Sequence, residues 1–165
     1  PEVSVDKAEA LLRRLKFSNA EIRRGTHLVA HYRPLVHPAD GSAIIREWLS
    51  TVGTEFSRDL IRLHFAAARG SASADAERAL VYTWGRVHDE IVERSPVTVG
   101  QLAVDGTDLL ALGLPAGPLV GLMLEELLAQ VIDAPDRNER DVLLESAREL
   151  IELGGLDSLE GGLQE

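Results

Sequence analysis

Apolar residues recur at intervals of three and four along most of the chain, which is the spacing that lines one face of an α-helix. The first run consists of Ala8, Leu11, Leu12 and Leu15. Ser18 and Glu21 then have the spacing of a capping box, which predicts a second helix that runs to about Tyr32, before Pro34.

Three further helices are predicted before residue 96. They cover about 42–53, 56–70 and 74–95, and the last must end before Pro96. The apolar face of this long helix is expected to consist of Leu80, Val81, Trp84, Val87, His88 and Ile91.

Shorter elements follow Pro96. The pattern predicts a segment at 99–104, helices at 107–112 and 119–132, and a last helix capped by Asn138. Period-two alternation, which is typical of strands, is absent. The predicted fold class is therefore all-α, a helical bundle or array with a smaller C-terminal helical tail. We expect a helical body at 1–95, a tail domain at 96–154 and disorder at 155–165.

The net charge of −10 divides unevenly along the chain. Up to Pro96 there are 14 Lys and Arg against 13 Asp and Glu, and from Val97 onward there are 3 against 14. The first part thus carries +1 and the second −11. The dense basic stretch lies in the first part, where we expect any phosphate contacts. It comprises Arg13, Arg14, Lys16, Arg23 and Arg24.

Candidate metal and catalytic residues are few. The chain has no Cys, which excludes disulfides and zinc-thiolate sites and fits a reducing cytoplasm. His27 and His31 are four residues apart, with His37 as a conceivable third ligand, but ordinary packed or surface histidines explain them better. His88 and Asp89 form an adjacent His-Asp pair without the separated partners that a metal phosphohydrolase needs. We assign neither a catalytic nor a metal-binding residue.

Other signatures of catalysis or membrane insertion are also missing from the sequence. There is no Gly-x-Ser-x-Gly motif, no phosphate-binding glycine loop and no Asp-x-Asp pair. No run of about 18 apolar residues and no export signal is present, so a soluble, cytoplasmic protein without a membrane partner is expected.

The segment 109–118 is the most informative stretch. Gly113 can take the left-handed position that ends a helix, and Pro118 suits the first turn of the next one. Gly117 would leave the amides of that second helix open to an anion. The same residues also suit a turn that only packs two helices together, and both interpretations remain open.

The run from Ser95 to Pro118 resembles the C-terminal region of bacterial CCA-adding tRNA nucleotidyltransferases and their poly(A) polymerase relatives. Residues 119–128 and 135–144, with Asn138-Glu139-Arg140, continue this resemblance. Residues 12–22 and 28–34 are similar to the second half of the HD-like helical domain in the same enzymes. Residues 35–94 resemble the family mainly in helix order and hydrophobic pattern.

The resemblance implies a parent enzyme whose N-terminal head uses Mg²⁺ with CTP and ATP, while helical body and tail regions grip tRNA. Neither the head nor the first part of the HD-like domain is found in this sequence, so we expect no cofactor in this chain. Whether the parent adds CCA, part of CCA, or poly(A) depends on that head. His88-Asp89 also lies too far downstream to be the HD pair of that family.

The sequence therefore predicts the tRNA-binding C-terminal portion of such an enzyme, with no complete active site of its own. Expected partners are the acceptor arm and elbow of tRNA, bound through phosphate and shape, and the head of the same polypeptide. The alternatives are a fragment of an HD-type metal phosphohydrolase and a helical module for docking or self-association. The predicted RNA-binding residues are Arg13, Arg14, Lys16, Arg23, Arg24, Gly113 and Gly117.

Overall fold

The structure is a computed structural model that describes residues 2–33 and 35–152. Its α-helices are α1 (Glu2–Arg14), α2 (Asn19–Ala30), α3 (Ser42–Val52), α4 (Thr54–Gly70), α5 (Ala74–Val92), α6 (Gly106–Ala111), α7 (Pro118–Asp133) and α8 (Arg140–Glu152). Short 3-10 helices occupy Val99–Gln101 and Pro135–Arg137.

The described residues contain helices and no strand, which confirms the all-α prediction. None of the helices in this part of the chain has both the length and the apolar character needed to cross a bilayer. The expectation of disorder at 155–165 lies outside the described residues. By its contacts the chain divides into two compact units, 1–91 and 92–165, which we describe separately.

The first unit begins with a helical hairpin in which α1 packs on α2, and α4 then packs against both α2 and α3. At Gly25 of α2 the helices approach so closely that an added Cβ would lie 2.8 Å from Leu12 Cδ1. The centre of this unit is apolar because its helices turn their aliphatic stripes inward. The most deeply buried of these side chains are Ile45, Leu49, Val52, Leu60, Ile61 and Val87.

Two of the predicted apolar faces are partly wrong. Leu11 and Leu15 of α1 are 46% and 57% exposed, because the principal contact of α1 is with α2 and its outer side is left uncovered. On α5, Val81 and His88 are exposed, whereas Thr83 and Glu90 are buried. The buried face of α5 therefore includes Thr83 and Glu90 in place of Val81 and His88. Glu90 can be buried there because it pairs with Arg46 of α3.

The second unit is built on α7, which contacts α6, α8 and both 3-10 helices. Its core is a cluster of aliphatic side chains that includes Leu109, Met123, Leu127, Val131 and Leu143, each fully buried. Asn138 does not cap α8 as predicted. Its side-chain amide instead donates to the Gln101 carbonyl at 3.0 Å and accepts from the Ala103 amide at 2.8 Å.

Candidate nucleic-acid interface

A well-defined turn joins α1 to α2 and places the basic residues. The Phe17 amide donates to the Leu12 carbonyl at 3.1 Å and the Lys16 amide to the Arg13 carbonyl at 3.0 Å. These two bonds form a Schellman motif, which satisfies carbonyls at the end of α1. Lys16 occupies the left-handed position of the motif with φ 61°. The basic end of α1 is therefore held in one conformation by backbone hydrogen bonds.

The start of α2 is fixed by the predicted capping box, which is confirmed. The Glu21 amide donates to Ser18 Oγ, and the Glu21 carboxylate accepts from the Ser18 amide at 2.8 Å and from Ser18 Oγ at 2.7 Å. The hydrogen bonds from the Ser18 hydroxyl and amide lower the pKa of Glu21. Arg23 and Arg24 thus project from the first turns of a well-anchored helix.

The five predicted cations are not equivalent. Arg13 pairs with Glu9 at 2.6 Å, and Arg24 pairs with Asp59 of α4. Arg14, Lys16 and Arg23 are exposed and form no ion pair among the described residues. These last three side chains, which we call the open cations, are available to a phosphate without the loss of an existing ion pair.

A surface groove of about 520 Å³ runs beside the basic face of α2. Arg23, Arg24 and His27 line one side, and Phe56 of α4 lines the other. Glu21 also lines the groove, with its carboxylate held in the capping box. The Arg24 guanidinium carbon lies 5.4 Å from the centroid of the Phe56 ring, within the range of a cation–π contact. The groove thus joins positive charge to an aromatic surface, a combination found where proteins hold nucleic acid strands.

His27 and Phe56 were not predicted from the sequence to belong to this surface. Their rings lie 4.1 Å apart, and His27 Nε2 donates to the Val52 carbonyl at 2.8 Å. Asp59, the partner of Arg24, lies 35 residues further along the chain. No local pattern in the sequence signals such contacts, because they depend on how α2 packs against α4.

The histidines do not assemble a metal site in the described part of the chain, where no group of three His, Asp or Glu side chains could hold an ion. His27 and His31 lie side by side with ring centroids 4.3 Å apart. His37 instead accepts the Ala39 amide at Nδ1. The residues described here therefore do not fit the Mg²⁺ that the resemblance implies for the parent enzyme. His88 and Asp89 are both exposed on α5.

In the second unit, the turn between α6 and α7 contains Gly113. This residue has the left-handed conformation expected from the sequence, with φ 98°. The Gly113 amide donates to the Leu110 carbonyl at 3.0 Å, and the Leu114 amide to the Leu109 carbonyl at 3.2 Å. Leu114 and Leu109 are both buried in the core of this unit. The turn therefore ends α6 and packs against the core, which is a structural role.

Gly117 precedes α7 with φ 149° and ψ −163°, a conformation essentially restricted to glycine. It is exposed, no side chain caps the helix, and Pro118 occupies the first turn as predicted. An added Cβ would meet no atom within 4 Å. Gly117 is therefore needed for the backbone conformation of the turn, as expected if the turn only packs two helices together. Pro118 has no N–H and the Val120 amide donates to the Gly117 carbonyl at 3.2 Å, so only the remaining amides of this first turn could bind a phosphate.

The predicted binding residues thus fall into two groups. Arg13, Arg14, Lys16, Arg23 and Arg24 lie on the hairpin of α1 and α2 in the first unit. Gly113 and Gly117 belong to the second unit and border α6 and α7.

Comparison with known proteins gives two matches. A family model described as tRNA nucleotidyltransferase domain 2 matches residues 2–147. The chain is also similar to a CCA-adding enzyme from Lactobacillus johnsonii, with 29% identity over 141 residues. That alignment covers 85% of this chain and 31% of the relative, so the chain spans about a third of the length of that enzyme. No solved structure matches.

Proposed function

The chain belongs to the tRNA nucleotidyltransferase domain 2 family, and from this premise we propose that it binds tRNA rather than transferring nucleotides itself. The proposed contacts are between phosphates of the tRNA and the basic face of the hairpin formed by α1 and α2. The relative that carries the similarity is a CCA-adding enzyme, which is the reason for choosing tRNA among nucleic acids.

The observation that carries the proposal is the set of open cations, Arg14, Lys16 and Arg23. In a chain of net charge −10 they are exposed, unpaired among the described residues and placed on one hairpin. Arg23 also lines the groove that contains Phe56. Phosphate contacts of this kind supply most of the sequence-independent affinity for nucleic acid. A helical hairpin with these charges can therefore hold a backbone without reading bases.

Recognition by shape suits a tRNA arm. A-form RNA has a deep, narrow major groove that side chains cannot read, and it presents phosphates and a shallow minor groove to the protein. Helices with exposed Arg and Lys can follow that surface, and we propose the acceptor arm and elbow as the bound region. The acidic second unit is less suited to this contact, so any contribution from Gly117 would be through backbone amides.

Catalysis is proposed to reside in a nucleotidyltransferase head of the same polypeptide, acting in the cytoplasm. Nucleotidyl transfer requires carboxylates that hold metal ions against the triphosphate, and no such group occurs among the described residues. The chain alone should therefore incorporate no labelled AMP or CMP into tRNA. Incorporation above a heat-inactivated control, retained through repurification, would contradict this division of roles.

A direct test compares two substitutions that each remove one positive charge. Arg23→Gln should weaken binding of unmodified tRNA by about tenfold or more, the effect expected for one charge-assisted hydrogen bond. Arg58→Gln is the matched control, because Arg58 is exposed on α4 and lies roughly 200° around that helix from Phe56. Equal affinities for the two variants would reject this groove as the tRNA contact.

The alternative of an HD-type phosphohydrolase fragment gains no support from the described residues, since His88 and Asp89 are exposed without further ligands nearby. A docking or self-association module predicts a different result in the same titration. It would bind tRNA weakly, with no difference between Arg23→Gln and Arg58→Gln.

A further inference from the structure

A second cavity lies next to the basic groove, between the end of α2, the segment after it and α3. Its volume is about 280 Å³. The floor is apolar and is formed in part by Val36, Trp48 and Val52, which are 7%, 7% and 2% exposed. Polar side chains line the rest of the cavity, and they include His31, Arg33, Asp40 and Glu47.

The two cavities share a wall. His27 lines the basic groove and His31 lines the apolar cavity, and their ring centroids are 4.3 Å apart. A ligand that places a charged group in the groove can therefore extend an apolar group past this pair of rings. A nucleotide in a nucleic acid strand fits this description, because its charged phosphate and its planar base are two separate parts of one residue.

We propose that the cavity receives an unstacked nucleobase carrying an exocyclic amino group, from an RNA strand whose phosphates lie on the basic groove. This inference rests on the proposed function and deepens it, because it adds a base contact to an otherwise shape-based interface. We name this cavity the base pocket.

The size and composition of the base pocket support this ligand. At about 280 Å³ it lies just below the range of pockets for whole small-molecule ligands, so it suits one planar base rather than a base pair. Unpaired bases in RNA are commonly held by apolar and aromatic surfaces and by hydrogen bonds to their edges. The buried Trp48 and the aliphatic floor provide the apolar surface.

The lining has two carboxylates, Asp40 and Glu47, against one cation, Arg33, so its charge favours an amino group over a phosphate. Asp40 and Glu47 are acceptors that repel phosphate but can accept from the amino group of adenine or cytosine. One oxygen of Asp40 accepts the His37 amide at 2.7 Å, which orients the carboxylate. Burial lowers the pKa of His31, and the neighbouring His27 lowers it further, so the imidazole is neutral near pH 7 and can accept one hydrogen bond.

The test uses tryptophan fluorescence of the full chain. Trp48 and Trp84 are the two tryptophans, so in a Trp84→Phe background the signal comes from Trp48 in the base pocket. Titration with AMP and with CMP should give a saturable change. UMP, which has no exocyclic amino group, should bind about tenfold more weakly or worse, the effect of one lost hydrogen bond to a carboxylate.

A matched pair of variants connects the signal to the pocket. Ile44→Asp places a carboxylate on the wall at a residue 49% exposed, near the start of α3 where an acid suits the helix dipole. Val81→Asp makes the same change at a residue of α5 that is 59% exposed and outside this pocket. Binding of AMP should fall about tenfold in the first variant, because a hydrated carboxylate replaces the apolar wall against which the base packs, and it should stay unchanged in the second.

The outcomes separate this inference from the proposed function. Absence of saturable binding, equal binding of UMP and CMP, or equal effects of the two Asp variants would overturn the base pocket. If Arg23→Gln still weakens tRNA binding under those conditions, the proposed function stands without it. If Arg23→Gln has no effect on tRNA while AMP binding follows the pattern above, the basic groove fails as the tRNA contact.

Discussion

Arg46 of α3 and Glu90 of α5 form an ion pair inside the first unit, with Nη1 and Oε2 3.2 Å apart. Their side chains are 8% and 6% exposed. Removing such charges from water costs several kcal/mol per ion, and each partner offsets the desolvation of the other. The pair therefore specifies how α3 and α5 are placed, since the loss of either charge takes a buried counter-charge away from the other.

Arg46→Met should reduce the free energy of unfolding by about 3–5 kcal/mol, because it removes the buried counter-charge that Glu90 has in the folded chain. The double variant Arg46→Met, Glu90→Leu should recover most of that loss. Urea unfolding measures both free energies. The control is Arg78→Met, which breaks the exposed pair with Asp75 and should cost no more than about 1 kcal/mol. A double variant no more stable than Arg46→Met would contradict this account of the pair.

Lys16→Gly should stabilise the chain and weaken tRNA binding at the same time. Lys16 has φ 61°, so glycine relieves the strain of a left-handed residue, with a gain of up to about 1 kcal/mol. The same change removes one of the open cations. Melting temperature and tRNA affinity, measured on the same preparation, therefore move in opposite directions.

Ala72→Gly is the matched control for Lys16→Gly. Ala72 has φ 52° in a second Schellman motif, where its amide donates to the Arg69 carbonyl and the Ser73 amide donates to the Ala68 carbonyl. We expect a similar gain in stability with unchanged tRNA affinity. A loss of affinity in both variants would show that the backbone change, rather than the lysine charge, is responsible.

Gly117→Ala and Gly117→Asp together test the phosphate role of the turn before α7. Both introduce a side chain at φ 149° and should lose about 1–3 kcal/mol of stability through backbone strain. Only the Asp variant adds a carboxylate that repels a phosphate. If the amides bind phosphate, tRNA affinity should be lower for Asp than for Ala at equal stability, and equal affinities would leave Gly117 a purely structural residue.

Stability should decrease as the pH falls from about 7.5 to about 5.5, in part because of His64. Burial lowers the pKa of His64 and Arg33 lowers it further, while the hydrogen bond from Nε2 to the Tyr32 carbonyl opposes the shift. The folded pKa is below that of the unfolded chain, about 6.5, so the unfolded chain binds the proton more readily. The stabilisation present above that value is lost as the pH falls towards the folded pKa.

His64→Gln can still donate to the Tyr32 carbonyl but does not titrate, so it should reduce this dependence on pH. His88→Gln, at an exposed position of α5, should leave it unchanged. Denaturant midpoints at the two pH values make the comparison. An identical decrease in wild type and His64→Gln would assign the effect to other groups.

Local signals in the sequence were sufficient to predict where most helices begin and end. The Ser18–Glu21 capping box, the left-handed Gly113 and the first-turn Pro118 depend on residues within a few positions of one another, and each is confirmed. The all-α fold class follows from the same local periodicity. The family match to residues 2–147 confirms the resemblance stated from the sequence.

Long-range partners were not predictable from spacing. Glu90 was not included in the predicted apolar face of α5 but is buried, where Arg46, 44 residues away, provides its counter-charge. Asn138 was predicted to cap α8 but binds Gln101 and Ala103. Likewise, the sequence showed five clustered cations, and only the packing of α4 on α2 explains why Arg24 is paired and Arg23 is not.

The most direct test of the central proposal is the salt dependence of tRNA binding for wild type and for the triple variant Arg14→Gln, Lys16→Gly, Arg23→Gln. Each phosphate contact contributes a slope of nearly one to the plot of log affinity against log salt concentration. If the open cations hold the tRNA backbone, the triple variant should bind more weakly and its slope should be smaller by about 2–3. An unchanged slope in a folded triple variant would contradict the proposal.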